Sequence, residues 1–203
     1  MSKYFNNIDS AYDYGVGLIK KYGFKRIDER GDEVLQLPFL HLKFKHHIKQ
    51  IGTVKYVPEP TSTLLNKSML KDYKDQLIVG TDKDFIYTYQ DRFCNHFNIN
   101  QYDYIVDKLK RNKESRRAVA ITWNPNIDPV NDEVPCLNYL CCSIYDNELF
   151  MNVVFRSNDF TTAFVANMFG LMNLQLYLAD KIGVNVGDFN YCGNNVHLIK
   201  NNE

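Results

Sequence analysis

The chain has 203 residues, of which 45% are hydrophobic and 24% charged, and its 24 basic and 24 acidic side chains give a formal net charge of zero. That length can bury a sizeable core, and no repeat, linker or charge block divides the sequence, so residues 1–203 are interpreted as one domain. The neutral balance excludes the broad basic surface of a protein that coats DNA or RNA.

Hydrophobic periodicity and turn residues predict helices and strands along the chain. In chain order these are a helix over 10–22, a strand over 33–44, a short helix near 63–76, a helix over 99–111, a strand over 118–123, a hairpin over 137–145 and 148–156, a helix near 160–182 ended by Gly183, and a last strand near 188–199. The first helix takes Asp9 or Ser10 as its N-cap and ends at Gly23, and Pro38 indicates an edge or a bulge. Long antiparallel strands with separate helices indicate an α+β fold, in which a mainly antiparallel or mixed sheet packs on the long central helix.

Targeting and redox signals predict a cytoplasmic protein, or one in the host cytoplasm if the source is viral. The N-terminus lacks the apolar core of a secretory signal. The apolar stretch 161–182 contains Asn167 and Asp180, which are costly in hydrocarbon, so a buried helix is expected there and not a membrane span. Without a signal peptide and without CxxC spacing, free thiols are expected at all five cysteines, which are Cys94, Cys136, Cys141, Cys142 and Cys192.

Cys136 is the first candidate for chemistry, because it follows a proline at the start of a strand, where a thiol can be both fixed and reachable. A free thiol titrates near 8.5 unless a cation lowers its pKa, and only the thiolate is a strong nucleophile. The alternative is a buried structural cysteine. Cys141 and Cys142 alternate along a strand and are interpreted as structural. Cys94 and His96 lack further ligands at metal-binding spacing, so no metal is expected.

Two cationic clusters offer sites for an anion. The SRR segment at 115–117 combines adjacent guanidinium groups with a hydroxyl, and these groups can form forked hydrogen bonds to a phosphate. The alternative is that the segment is only a solvent-exposed turn. The RSND segment at 156–159 joins a cation, a hydroxyl and a carboxylate, and its alternative role is to cap the next helix at residue 157 or 159. Asn167, inside the apolar helix, needs hydrogen-bond partners from the core or from a ligand. His197 by itself is interpreted as structural.

The order of these motifs resembles the thymidylate synthase family. The segments SRRAVAITWNP, VPCLNYL, FRSNDFTTAFVANMFGL and VGDFNYCGNNVHL follow one another in family order and near family spacing, over about residues 85–199. The segments DERG at 28–31, YTYQDR at 87–92 and PCL at 135–137 are most similar to the short, methanogen-type branch. The phage hydroxymethylases that act on dUMP or dCMP are a related branch and stay open as an alternative.

The resemblance implies an enzyme that transfers a one-carbon unit from a reduced pterin, either 5,10-methylenetetrahydrofolate or a related carrier, to C5 of a pyrimidine deoxynucleotide. Cys136 would add to C6 of the base and so make C5 a carbon nucleophile. Hydride transfer would then complete a methyl group and convert dUMP to dTMP, whereas water would give a hydroxymethyl group. A catalytically lapsed homologue that only binds nucleotide is the third alternative.

The resemblance also assigns the groups that bind phosphate and sugar. Arg156 and Ser157 would hold the phosphate, and the charge of Arg156 would lower the pKa of Cys136. Arg30, in the DERG segment, matches the mobile phosphate-binding arginine of the family. His197 would bond to the 3′-hydroxyl of the sugar.

Further assignments concern the partner subunit and the base. Arg116 and Arg117 would reach across a two-fold interface into the partner's site, which makes a sheet-to-sheet homodimer part of the mechanism. Asn167 would read the N3 and O4 edge of the base, and its amide favours dUMP over dCMP. Asp159 would order the base and contact the pterin, and Tyr89 would assist proton removal near the nucleophile.

Several positions depart from the family pattern. Ile199 stands where the common synthases have a sugar-binding tyrosine, Leu137 where they have histidine, and Gln90 where they have glycine. Glu59 is the nearest candidate for the glutamate that orders the proton-relay water. The sequence ends at Glu203 without a long closing tail. These departures affect pterin recognition and hydride transfer more than nucleotide binding.

Overall fold

The computed structural model describes residues 3–61, 66–81 and 86–200. The α-helices in these ranges are α1 (Ile8–Tyr22), α2 (Lys67–Ile78), α3 (Tyr89–Cys94), α4 (Gln101–Arg111) and α5 (Phe164–Ile182). The strands are β1 (Tyr4–Phe5), β2 (Phe24–Ile27), β3 (Glu33–Phe44), β4 (Lys49–Ile51), β5 (Val54–Tyr56), β6 (Ala118–Ile121), β7 (Leu137–Tyr145), β8 (Glu148–Phe155), β9 (Asn158–Asp159) and β10 (Asn185–Ile199).

One mixed sheet organises the fold. Its strands lie in the order β1-β3-β10-β8-β7-β6, with β2 beside β3 and β9 beside β10. Strand β10 is antiparallel to β3 and parallel to β8, and β7 and β8 form an antiparallel hairpin. This hairpin turns at Asp146 and Asn147, whose φ values of 49° and 61° suit the twist of the flanking strands. The expected α+β class with a mixed sheet is therefore confirmed.

Helix α5 lies against one face of the sheet and is surrounded by α1, α2 and α4. Most of its side chains are buried, on all sides of the helix. Burying one large apolar side chain stabilises the folded state by roughly 1.5–3 kcal/mol relative to leaving it exposed. The helix ends at Gly183, whose φ of 86° is a conformation that L side chains rarely adopt. The prediction of a buried helix over this stretch is confirmed. No helix within the described ranges combines the length and the apolar character that crossing a bilayer requires.

The start of α1 differs from the prediction. The helix begins at Ile8 and its N-cap is Asn7, not Asp9 or Ser10, because the Asn7 side chain accepts a hydrogen bond from the Ser10 backbone N–H at 2.8 Å. Its predicted end at Gly23 is confirmed, and a Cβ there would lie 2.4 Å from the carbonyl oxygen of Ile19. The φ of −69° at this position is one that any residue can adopt, so glycine is needed here for space and not for its backbone conformation.

The start of α5 also differs. The helix begins at Phe164 after Ala163, without a side-chain cap, so the predicted N-cap at residue 157 or 159 is wrong. The Asp159 carboxylate instead accepts hydrogen bonds from the backbone N–H groups of Thr161 and Thr162, at 2.6 Å and 3.2 Å. These bonds stabilise a turn that precedes the helix.

The weakly patterned segment before residue 84 contains more structure than predicted. Helix α2 begins at Lys67 and ends at Ile78, and residues 63–65 of the predicted helix lie outside the described residues. The small β4–β5 hairpin was not predicted. In β3, Pro38 has no backbone N–H to donate to a neighbouring strand. It lies between the residues that pair with β2 and those that pair with β1, so no hydrogen bond to either of these strands is lost.

Candidate active site

A cavity of about 940 Å³ is lined by the β2–β3 turn, α2, the start of α3, the starts of β7 and α5, and the last part of β10. Small-molecule sites span roughly 300–1,000 Å³, so this one is large enough for a substrate of nucleotide size. It brings together most of the predicted site residues, namely Arg30, Tyr89, Cys136, Arg156, Ser157, Asp159, Asn167 and His197.

Cys136 sits directly before β7, where the backbone is fixed on both sides of it. The Cys136 carbonyl accepts a hydrogen bond from the Arg156 backbone N–H at 2.8 Å, and the Leu137 N–H donates to the Tyr89 hydroxyl at 3.2 Å. The pairing of β7 with β8 then shifts register between Leu137 and Tyr139, which is a bulge. Bulges redirect neighbouring side chains and are frequent beside active sites.

Opposing effects act on the thiol of Cys136. Burial, the largest of them, raises its pKa, whereas the positive charges of Arg156 and Arg30 lower it. Glu133 and Asp159 raise it further. The lowering by Arg156 is thus present as predicted, but burial outweighs it, and the pKa of the thiol is raised overall.

Arg156 contacts the segment that leads to Cys136. Its Nε donates to the Pro135 carbonyl and its Nη2 to the Val134 carbonyl, both at 3.0 Å. A guanidinium carries five N–H donors, so most of them remain available for an anion.

Arg30 lies on the exposed turn between β2 and β3. Its Nη2 forms an ion pair with Glu133 Oε1 at 2.7 Å, and the two side chains are 69% and 48% exposed. Exposed pairs of this kind contribute little stability, so a bound anion can compete with Glu133 for the guanidinium. Gly31, with a φ of 88°, completes the turn that carries Arg30.

Ser157 and His197 lie side by side at the cavity wall. The Ser157 hydroxyl donates to the Asn195 carbonyl at 3.2 Å and lies 3.4 Å from Nδ1 of His197. His197 Nδ1 is also 3.1 Å from the Asn195 carbonyl, which suits a protonated Nδ1. Two groups predicted to hold phosphate and sugar therefore share one backbone carbonyl.

Asn167 is 4% exposed, and partners within the chain bind both ends of its amide. Its Oδ1 accepts a short hydrogen bond from the Tyr73 hydroxyl, and its Nδ2 donates to Asn158 Oδ1 at 3.1 Å. Asn158 Nδ2 in turn donates to the Tyr191 hydroxyl at 3.1 Å. Sequence reasoning missed Tyr73, which lies in a weakly patterned region. Asn158 was visible in the RSND segment but was given no role of its own.

The tyrosines beside Cys136 are protonated at neutral pH. Burial raises the pKa of Tyr87 to about 12 and raises that of Tyr89 well above its usual value. The Tyr87 hydroxyl donates to the Val134 carbonyl at 3.2 Å, so it supports the same segment as Arg156. Both tyrosines can therefore hold a proton close to the thiol.

Arg116 and Arg117 do not join this cavity within one chain. They are exposed and line a separate cavity of about 420 Å³ together with Lys108 and Arg111. Tyr104 holds their segment, because its hydroxyl donates to the Arg117 carbonyl at 2.7 Å. Their predicted role in a shared site therefore requires a second subunit.

The positions that depart from the family pattern have different surroundings. Ile199 lines the cavity, whereas Leu137 is fully buried in the core. Glu59 is exposed, pairs with Lys67 at 3.4 Å and is not among the described residues that line the cavity. The structure therefore offers no support for Glu59 as the residue that orders a relay water.

The remaining thiols show no sign of a metal site. Cys142 is buried, and burial raises the pKa of Cys94 to about 11. His96, two residues after Cys94, has its Nε2 3.0 Å from Nδ2 of Asn124. Among the residues that the structure describes, no group of three or more His, Cys, Asp or Glu side chains is arranged to hold a metal ion.

A buried ion pair anchors the loop between β6 and β7, and sequence reasoning missed it. Arg92 donates two hydrogen bonds to the Asp128 carboxylate, at 2.8 Å and 3.2 Å. Asp128 also accepts from the Asn124 backbone N–H at 2.7 Å. This loop continues along the chain to Cys136 and the start of β7. The arginine was visible in the YTYQDR segment, but its partner lies 36 positions away.

Known proteins resemble this chain over most of its length. A family model described as thymidylate synthase matches residues 59–202. A protein of Methanosarcina barkeri, provisionally named thymidylate synthase, is 35% identical over 193 residues, which cover 94% of this chain and 86% of the relative. A protein of Methanococcoides burtonii with the same provisional name shows the same identity and coverage. One of Methanocaldococcus jannaschii is 38% identical over 165 residues, covering 77% of this chain and 74% of the relative.

Proposed function

The chain belongs to the thymidylate synthase family, and on that premise we propose that it methylates dUMP at C5 to give dTMP, through a covalent bond between Cys136 Sγ and C6 of the base. The observation that carries the proposal is the convergence of a partly buried thiol, two arginines and a tethered asparagine on one cavity. Each of these groups matches one part of a pyrimidine nucleotide. The whole chain would act as one methyltransferase domain.

The phosphate is the part that the cations recognise. The unused donors of Arg156, and the Arg30 guanidinium once it is released from Glu133, would supply charge-assisted hydrogen bonds. The Ser157 hydroxyl would add another by turning from the Asn195 carbonyl to the phosphate. His197, whose Nδ1 lies 3.4 Å from the Ser157 hydroxyl, is the group proposed to bond to the sugar. Binding at these points holds the base against Cys136, and such positioning replaces a bimolecular encounter with an attack inside the complex.

Cys136 and Asn167 are the groups proposed to activate the base. The thiolate of Cys136 forms a bond to C6, and the electron pair of the C5–C6 double bond moves toward O4. Asn167, with one N–H and one lone pair unused, stabilises this charge at the N3 and O4 edge. The Tyr89 hydroxyl, which accepts a hydrogen bond from the Leu137 N–H at 3.2 Å, is the group proposed to assist removal of the C5 proton.

A reduced pterin, taken as 5,10-methylenetetrahydrofolate, supplies the one-carbon unit and, for methylation, the hydride. It would bind in the same cavity as the nucleotide. Asp159 is the acceptor proposed for it, because two backbone N–H groups already fix the orientation of that carboxylate. Exclusion of water from this space would favour a methyl over a hydroxymethyl product.

A homodimer completes the proposal, because Arg116 and Arg117 are separate from the cavity of their own chain. Along β8 and β10, alternate residues are buried beneath the helices, and those between them stay partly exposed on the opposite face. That face carries a mixture of apolar and amide side chains, including Phe150, Asn152, Val154, Asn190 and Cys192. A second copy packed on it would bury this surface and bring the two arginines to the partner's site.

The mass of the product tests the proposal. The protein is incubated with 5,10-methylenetetrahydrofolate and either dUMP or dCMP, and the nucleotide is then analysed by mass spectrometry. Methylated dUMP is expected, and Cys136→Ser should abolish it. A hydroxymethylated nucleotide would identify a hydroxymethylase, and nucleotide binding without any product would indicate a lapsed homologue.

A further inference from the structure

An ion pair joins two segments of the chain at the edge of the candidate active-site cavity. Arg30 lies on the turn between β2 and β3, and Glu133 lies on the β6–β7 loop, three positions before Cys136. The Arg30 Nη2 donates to Glu133 Oε1 at 2.7 Å. Arg30 lines the cavity, whereas Glu133 is not among the described residues that line it, so the contact holds one end of the guanidinium at the rim.

The backbone around Arg30 is fixed by the turn itself. The Asp28 carboxylate accepts hydrogen bonds from the backbone N–H groups of Arg30 and Asp32, at 2.9 Å and 2.8 Å. The Gly31 N–H donates to the Asp28 carbonyl at 3.1 Å, and the Asp28 N–H donates to the Asp32 carbonyl at 3.0 Å. A change of partner for the guanidinium therefore requires only rotation of the Arg30 side chain, and not a movement of the turn.

The two arginines proposed to bind phosphate contact consecutive residues of one loop. Arg30 bonds to the Glu133 carboxylate, and Arg156 Nη2 donates to the carbonyl of the next residue, Val134, at 3.0 Å. Arg30 and Glu133 also act on the thiol of Cys136, with opposite effects on its pKa. A phosphate held by both arginines would therefore lie beside the Glu133 carboxylate, which carries a charge of the same sign.

A carboxylate and a phosphate compete for the same donors of a guanidinium, because both accept its charge-assisted hydrogen bonds in the same forked geometry. The Arg30 and Glu133 side chains are 69% and 48% exposed, and pairs of this kind favour the closed form by about fivefold at most. A ligand that needs the open form binds more weakly in proportion to the fraction of protein in that form. The ion pair is thus strong enough to lower the affinity for phosphate measurably, and weak enough for phosphate to displace it.

We propose that Glu133 is an internal competitor for the substrate phosphate. Its carboxylate holds Arg30 in the free protein and is displaced when a nucleotide binds, so that Arg30 turns to the phosphate and Glu133 turns to solvent. The contact is therefore autoinhibitory, since it lowers the affinity for every ligand whose phosphate needs Arg30. The proposal rests on the proposed function, which assigns Arg30 to the phosphate.

Calorimetric titration with dUMP and with inorganic phosphate tests this role. Glu133→Gln keeps the size of the side chain and removes its charge, and it should tighten the binding of both ligands about twofold to sixfold. Asp132→Asn is the matched control, because Asp132 is exposed, lines the cavity and forms no ion pair among the described residues. It removes the same charge one position away and should change the affinity less than Glu133→Gln does. In an Arg30→Gln background, Glu133→Gln should give no further gain, since the group that it releases is then absent.

The outcomes separate the two proposals. If dUMP is bound and methylated but Glu133→Gln leaves its affinity unchanged, the competition is overturned while the proposed function stands. The same holds if Asp132→Asn gives an equal gain, which would indicate general charge repulsion, or if the gain persists without Arg30. If phosphate binds as expected in all variants but dUMP yields no product, the proposed function fails and the competition stands. If the wild type binds neither ligand, both fail. All the substituted side chains are exposed, so the variants should fold.

Discussion

The Nε atom of Arg156 donates a hydrogen bond across 3.0 Å to the carbonyl oxygen of Pro135, the residue immediately before Cys136. The group proposed to bind phosphate is therefore the same group that holds the segment before Cys136. An anion bound to the remaining donors would restrain the guanidinium and, through it, the position of Cys136. Under the proposed function, this contact would couple substrate binding to the alignment of the thiol.

Replacing Arg156 by Lys keeps the charge but removes the forked geometry. We expect the affinity for dUMP to fall about tenfold to a hundredfold, because charge-assisted hydrogen bonds to the phosphate are lost. Isothermal titration calorimetry measures the change. Arg26→Lys is the control, since Arg26 also lines the cavity but has no assigned role, and its affinity should change little. Equal losses in both variants would contradict a specific role for Arg156.

The reactivity of Cys136 should depend on two residues in opposite directions. The positive charge of Arg30 lowers the pKa of the thiol and the negative charge of Glu133 raises it. Arg30→Gln should therefore move the pH midpoint of Cys136 alkylation upward, and Glu133→Gln should move it downward. The midpoint is measured from iodoacetamide rates, with modification at Cys136 followed by peptide mass spectrometry. Both displacements should shrink in high salt, because the pair is exposed. Displacements of the same sign would refute this account.

Mixing two inactive variants tests whether the site is shared between subunits. Arg116→Ala and Cys136→Ser should each be inactive alone. In a mixed dimer, one site combines an intact Cys136 with an intact Arg116 from the other chain. After unfolding and refolding together, activity should recover to about a quarter of the wild-type value, because half of the dimers are mixed and each has one complete site. No recovery, despite mixed dimers seen by native mass spectrometry, would exclude the shared arginine.

His47 should make the fold sensitive to acid. It is buried, its Nε2 bonds to Gln175 at 3.0 Å, and its Nδ1 has no hydrogen-bond partner among the described residues. Burial lowers its pKa from 6.5 to about 4, although the Gln175 bond and Asp188 oppose this and His46 adds to it. Because the folded state resists protonation, stability is complete above the unfolded pKa and is lost as the pH falls from about 6.5 toward 4.

At pH 5 the loss should be about 2 kcal/mol of unfolding free energy. Urea unfolding at a series of pH values measures it, and His47→Gln should remove this part of the pH dependence whatever its effect on stability at neutral pH. His46→Asn is the control, because His46 is exposed and its φ of 52° suits asparagine. His46 has the smallest of the effects on the pKa of His47, so this variant should keep most of the pH dependence. An unaltered pH dependence in His47→Gln would show that other groups are responsible.

The amino-acid sequence by itself determined the elements whose signals are local. Alternation of apolar residues predicted β3 and β7 with the bounds that the structure has, and Gly183 marked the end of α5 because only a residue without a side chain readily takes its φ. The order of motifs around Cys136 was enough to indicate the family. Even local signals can compete, as at α1, where Asn7 caps the helix and not Asp9 or Ser10.

Tertiary structure alone decided the environment of the site. Tyr73 and Asn167 are 94 positions apart, and Arg30 and Glu133 are 103 apart, so no periodic pattern could pair them. The raised pKa of Cys136 likewise depends on burial, which every element around the cavity determines together. Local propensity follows from neighbours along the chain, whereas hydrogen bonds and desolvation at a site follow from how distant segments pack.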